Sequence, residues 1–346
     1  MKMVSTSGLE AGQKAPNSIS LIRLLAALQV FFGHADAHLH TSFLPKFITG
    51  FLGMLDGVPV FFILSGFLIW DSIARTPDFK SFCKKRVFRL YPELWGGVLV
   101  NFLLVAVLLF DKIQWISYLT FQLTQGTFLQ FWTPNFLRVY GCGVPNGSLW
   151  TICVMLQAYL VMWFSYKLLR GRNLMLWVGC LLLGLGLSFT PKLLEGRLPE
   201  ILCKLYNQTF VPYFWLFMLG MMLSEFFDRW ILWLKRFWYL FAAVAILLIF
   251  LKWDVRSTYN IFRSCLVAPA IIGFAYGVPK LSFKHDYSYG IYIYHMIVIN
   301  LMLHFGISGA WWNVPLALAG AVLLAVLSYH TLGALSQKKR KQIGKV

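Results

Sequence analysis

Acidic side chains are scarce in this sequence. There are 13 Asp and Glu in 346 residues against 31 Lys and Arg, and charged residues of both signs make up only 13%. A soluble domain carries about 25% charged residues, so a fully water-facing surface cannot be built from this chain. Cysteine is also sparse. The six cysteines form no CxxC pair and no Cys/His cluster with ligand spacing, and no metal site is predicted. Only Cys142 and Cys203 fall on the outer side assigned below, which leaves a bridge between them open. The sequence contains no internal repeat, no low-complexity tract and no separate soluble domain. Nor is there a cleavable leader pattern, because the first apolar block starts near residue 19 and runs to a full span. That block is expected to remain as the first helix.

Hydrophobic residues are abundant, at 59%, and they come in blocks. About twenty consecutive apolar residues cross the hydrocarbon of a bilayer. Ten such runs are read, at 19–38, 49–70, 92–110, 149–169, 174–189, 211–227, 237–251, 259–279, 287–305 and 312–333. The expected fold is an all-α integral membrane bundle of about ten transmembrane helices. Residues 1–18 form an N-terminal tail, 19–333 the membrane domain and 334–346 a basic C-terminal tail. The net charge of +18 is placed by topology. Counting Lys and Arg around the spans puts 21 on the side of the two tails and nine on the other. The positive-inside rule then sets both termini in the cytoplasm, and nucleic acid is not an expected partner. Two connections are long. Residues 71–91 are cytoplasmic and basic; residues 111–148 are outer and rich in aromatics, Gln and Pro. In the outer one, Ile113 to Phe121 is apolar enough for a re-entrant or interfacial segment. The loop suits either a carbohydrate platform or an interfacial aromatic belt.

Ionisable side chains inside spans are costly and mark function by default. The first span carries Arg23 and His34, eleven residues apart, which returns to within about 20° of one helical face about 16 Å further along. His38 continues the stripe. A neutral His34 has the chemistry of a general base. A snorkelling arginine and an interfacial histidine are the plainer explanation of either residue alone. In the second span Ser65-Gly66 permits close helix approach. Arg86 and Arg89 are adjacent on one helical face and match phosphate oxygens, although attraction to anionic lipid explains them equally well. Late in the chain Ser288, Tyr292 and His295 share a face, most simply as a packed polar stripe.

Together these motifs resemble the membrane acyltransferase-3 family, which includes bacterial O-antigen and exopolysaccharide O-acetyltransferases. The resemblance rests on Arg23 with ten residues before His34, on Val58-Pro59-Val60-Phe61-Phe62 through Ser65-Gly66, and on Arg86-x-x-Arg89 before Leu90-Tyr91-Pro92. Gly147-Ser148-Leu149-Trp150-Thr151 and Ser288-Tyr289-x-x-Tyr292-x-x-His295 follow in order, so the resemblance extends from about residue 17 to 333. It implies a multi-pass protein of the bacterial inner membrane. Such a protein moves an acyl group, usually acetyl, from cytoplasmic acyl-CoA (acetyl-CoA) to a hydroxyl of a lipid-linked or surface glycan. Acyl-CoA is a donor substrate, with no permanently bound cofactor. By the same resemblance Arg23 and His34 are catalytic and Arg86 and Arg89 meet the donor. Ser65, Ser148, Trp150, Tyr292 and His295 are supporting candidates, with Ser65 or Tyr292 steadying the oxyanion.

One position departs from that pattern. Family members usually carry a glutamate five residues beyond the tryptophan of Ser-Leu-Trp, where this chain has Met155. A thioether can neither take a proton nor orient a histidine, so an impaired, acyl-CoA-binding descendant is one alternative. A transporter or flippase of a lipid-linked glycan is another. It is weakened by the near absence of acids in the spans: Asp36 and Asp56 lie near the outer interface, and Glu225 near a cytoplasmic end.

Overall fold

A bilayer core leaves backbone polar groups no water to bond, so each apolar run must close its hydrogen bonds within itself. The computed structural model, which describes residues 17–40, 56–76, 78–127, 132–281, 283 and 285–343, is accordingly helical throughout its apolar runs. Ten helices follow the ten runs: α1 (Ile19–Leu39), α2 (Gly57–Ala74), α3 (Phe79–Leu108), α4 (Trp150–Leu169), α5 (Leu174–Leu187), α6 (Phe214–Glu225), α7 (Phe227–Phe250), α8 (Ile261–Gly277), α9 (Ser288–His304) and α10 (Asn313–Ser328). A π turn, Tyr329–Gly333, leads from α10 into a basic C-terminal helix, α11 (Ala334–Gln342). Among the described residues seven segments are long and apolar enough to cross a membrane, while α6 and α8 are shorter apolar helices. Residues 49–55 of the expected second span, the N-terminal tail to residue 16, and residues 344–346 lie outside the described residues.

The main departure from expectation is α3. Its span was expected to start at 92, after a connection carrying the two arginines. Instead one 30-residue helix runs from Phe79, so Arg86 and Arg89 are helical residues. Residues 79–91 contain neither Gly nor Pro and are rich in good helix formers. Asp78 caps the helix by accepting from the Ser81 N–H at 2.8 Å. Pro92 sits inside the helix and has no N–H for the Phe88 carbonyl. That carbonyl is taken up from outside by the Ser336 hydroxyl of α11, while Lys339 lies over the Phe88 ring.

α9 is the central helix, with most of its residues buried. α1 runs parallel to it. At one end the Leu281 N–H donates to Ser18 Oγ at 2.9 Å, and at the other the Gly309 N–H donates to the Leu39 carbonyl at 2.8 Å. α2 and α6 meet backbone to backbone: a Cβ on Gly66 would collide with the Phe217 carbonyl, and one on Gly220 with that of Ile63. This is the close approach expected of Ser65-Gly66. α7 packs chiefly on α8 and presents Leu232, Leu240, Leu247 and Phe250 outward, as lipid-facing helices do.

In the long connection after α3, Trp115–Gln125 is a short helix that buries Tyr118 and Phe121 and exposes Ile116, Leu119 and Leu123, the form of an interfacial segment. The following stretch is fastened to α9. Asn300 accepts from the Cys142 N–H at 2.8 Å and donates to the Val144 and Pro145 carbonyls, and Asn146 donates to the Ile293 carbonyl at 2.9 Å. All six cysteines are free, so Cys142 and Cys203 form no bridge. Their thiols point instead at local carbonyls, of Val144 and of Leu194 and Leu198.

Candidate active site

Two helices and one turn bring the charged groups together. α1 supplies Arg23, α3 supplies Arg86 and Arg89, and the turn before α9 supplies Asp286. Arg23 Nη1 bonds Asp286 Oδ2 at 2.8 Å, and Arg89 Nη2 lies 3.7 Å from the same oxygen. The other carboxylate oxygen accepts from the N–H and hydroxyl of Ser288, at 3.1 and 2.5 Å, and so holds the first turn of α9. Burial would raise the Asp286 pKa, but Arg23 and Arg89, together with the Ser288 hydrogen bonds, outweigh burial and hold it below the ordinary carboxylate range. Arg86 donates to Ser72 Oγ at 3.1 Å and stacks over Phe82, while its Nε is buried with no partner among the described residues. Arg89 lies over the Tyr289 ring, and Glu93, one turn along α3, is buried beside it.

Arg23, Arg86 and Arg89 all line one cavity of about 120 Å³, with Ser65, Met155 and Tyr292 among the other walls. Drug-sized ligands occupy pockets of about 300–1,000 Å³. This space therefore takes only a small group or one end of a larger molecule. Met155 is central to its polar wall: Ser65 Oγ lies 3.6 Å and the Tyr159 hydroxyl 3.9 Å from its sulfur.

His34 does not line this cavity. It belongs to a row of rings beyond it. Tyr292, a cavity wall, contacts His295 at 5.9 Å between ring centroids. His295 contacts His34 at 5.2 Å, and His34 stacks on His38 at 5.9 Å with the planes 10° apart. His295 is fully buried. Its Nδ1 is 2.8 Å from the Tyr292 carbonyl, which can only accept, so Nδ1 carries a proton and donates it there, with Nε2 on the other side of the ring. That Nε2 has no partner among the described residues.

The supporting candidates divide by their surroundings. The Tyr292 hydroxyl donates to the Ser148 carbonyl at 2.9 Å and meets Thr151 Oγ1 at 2.7 Å. Ser148 Oγ donates within its loop to Asn146 Oδ1 at 2.8 Å and lies 3.3 Å from the Tyr292 carbonyl of α9. Trp150 packs against Phe62 and Tyr213. Ser288 is tied to Asp286 at the start of α9, whereas His295, seven residues on, joins the ring row, so the stripe on α9 serves two places along its length. Sequence reasoning missed Asp286 and Glu93. The first carries a recognisable signal, an Asp two residues before the serine that opens a helix. The second is an acid just inside an apolar run, next to Pro92.

A family model described as an acyltransferase domain matches residues 17–330. The chain is 28% identical to "Nodulation protein 10" of Rhizobium leguminosarum bv. viciae, over 94% of this chain and 95% of that protein. It is 26% identical to an "O-acetyl transferase" of Shigella phage Sf6, over 90% of this chain and 92% of that protein. No solved structure matches. With the family model spanning nearly the whole membrane bundle, from the start of α1 to the π turn, the chain belongs to the acyltransferase-3 family.

Proposed function

We propose that the protein is a membrane O-acyltransferase that moves an acetyl group from cytoplasmic acetyl-CoA to a hydroxyl of a lipid-linked or surface glycan in a bacterial inner membrane. The observation that carries this reading is the convergence of Arg23, Arg86 and Arg89 on one small cavity between helices. Guanidinium forks suit phosphate, and the cavity suits a thioester end. In this reading Arg86 and Arg89 hold the donor phosphates, and the acetyl group passes the Phe61–Tyr292 ring pair toward His34. His34 removes the proton of the sugar hydroxyl. The oxygen attacks the thioester carbonyl carbon, the carbon–sulfur bond breaks, and the proton passes to the departing thiolate. Ser65 is the better oxyanion donor of the two candidates, because the Tyr292 hydroxyl is already committed to the Ser148 carbonyl.

The test is transfer of label from radiolabelled acetyl-CoA to glycan by detergent-purified protein. Wild type should transfer, and His34→Ala, with folding verified, should lose at least about 100-fold, in the range of a general base. Retained turnover would remove His34 from that role. Met155 in the cavity wall favours one second reading, a descendant that binds acyl-CoA without turning it over. Binding with no transfer by wild type would select it.

A further inference from the structure

The last helix brings a fourth arginine to the same side of the bundle. The π turn at Tyr329–Gly333 carries the helical chain on from α10 into α11, which lies along α3. Its seating is specific. Ser336 satisfies the Phe88 carbonyl that Pro92 leaves open, and Gly333 passes so close to Glu93 that a Cβ there would lie 3.3 Å from its carboxylate. One turn beyond Ser336, Arg340 is half-buried and shares a narrow cleft with Arg89 and Glu93. Arg89, Arg86 and Arg23 all repel it, and it forms no ion pair among the described residues. Four guanidiniums thus stand around two carboxylates, Asp286 and Glu93. A cluster with that surplus is held together best when an anion enters it. Arg89 lines both the cavity and the cleft, so an extended donor with its acyl end in the cavity carries its phosphates toward α11.

We propose that Arg340 is a phosphate-binding residue for the acyl-CoA donor, contributed by the C-terminal helix. This rests on the donor reading above. The experiment measures binding and steady-state transfer with acetyl-CoA and with acetyl-pantetheine, which lacks the nucleotide and its phosphates, in wild type, Arg340→Gln and Arg340→Lys. Arg340→Gln should weaken acetyl-CoA binding and raise its KM about tenfold, with the KM for acetyl-pantetheine unchanged. Arg340→Lys, which keeps the charge, should recover part of the loss. Equal loss with both donors would show that α11 only props the fold and would overturn the proposal. So would unchanged acetyl-CoA binding in Arg340→Gln. If wild type itself neither binds nor turns over acetyl-CoA, the donor reading fails and Arg340 falls with it.

Discussion

At Met155, where the resemblance implies a carboxylate, the surroundings are those of a polar group, with the Ser65 and Tyr159 hydroxyls turned toward the sulfur. A thioether is a weak acceptor, so those hydroxyls are poorly used. Met155→Glu gives them a strong acceptor in a cavity that already holds three arginines, and label transfer from acetyl-CoA should rise several-fold. A fall would show that the thioether is the working side chain. Asp286 is the other residue on which the site turns. Its carboxyl is held below the ordinary range in the folded protein, so it stabilises the fold fully above its unfolded pKa, about 3.9. That contribution disappears as pH falls through the lower, folded value. The melting temperature of Asp286→Asn should therefore lie below that of wild type by a constant amount from about pH 5 to 8, with the gap closing below about pH 4. A gap that widened in acid would contradict the ion pair.

Among the elements, α3 and α11 depend on each other through a single backbone irregularity. Pro92 opens the Phe88 carbonyl and Ser336 closes it. Removing that hydroxyl leaves a carbonyl without its partner and costs about 1–3 kcal/mol. Ser336→Ala should therefore speed hydrogen exchange of the α11 amides, with exchange in α9 unaffected. The ten apolar runs were legible because hydrophobic length is a local property of sequence, and each run did become a helix. Helix ends were less so. Hydropathy marks where side chains turn polar, whereas α3 continues through its basic residues because nothing there breaks a helix. The site was legible by residue type but not by assembly. Arg23 and His34 share a stripe as their spacing requires, yet one faces the cavity and the other a row of aromatic rings. That division is set by α9 and by Asp286, hundreds of residues away in sequence.

For the whole molecule, the parallel course of α1 and α9, with α11 near Arg89, puts the start of α1 and the C-terminal helix on one side of the bundle. The excess of Lys and Arg there is what leads to the expectation that this side is cytoplasmic. In a cysteine-free background, an impermeant maleimide should label Ser308→Cys in intact spheroplasts and Lys338→Cys only after lysis; both positions are exposed. The reverse pattern would invert the bundle and move the arginine cluster away from the cytosol. The ion pair between Arg23 and Asp286 has a consequence for how the chain is made. Its partners are 263 residues apart, which at about 5–20 residues per second is roughly 13–50 s of translation. Through that interval the arginine enters the membrane without its counter-ion. Its long stem lets the charge rest among lipid headgroups, so the first helix is expected to gain its last polar anchor only when the ninth arrives. A nascent chain halted before residue 286 holds every residue of α1 and still lacks the carboxylate that seats it.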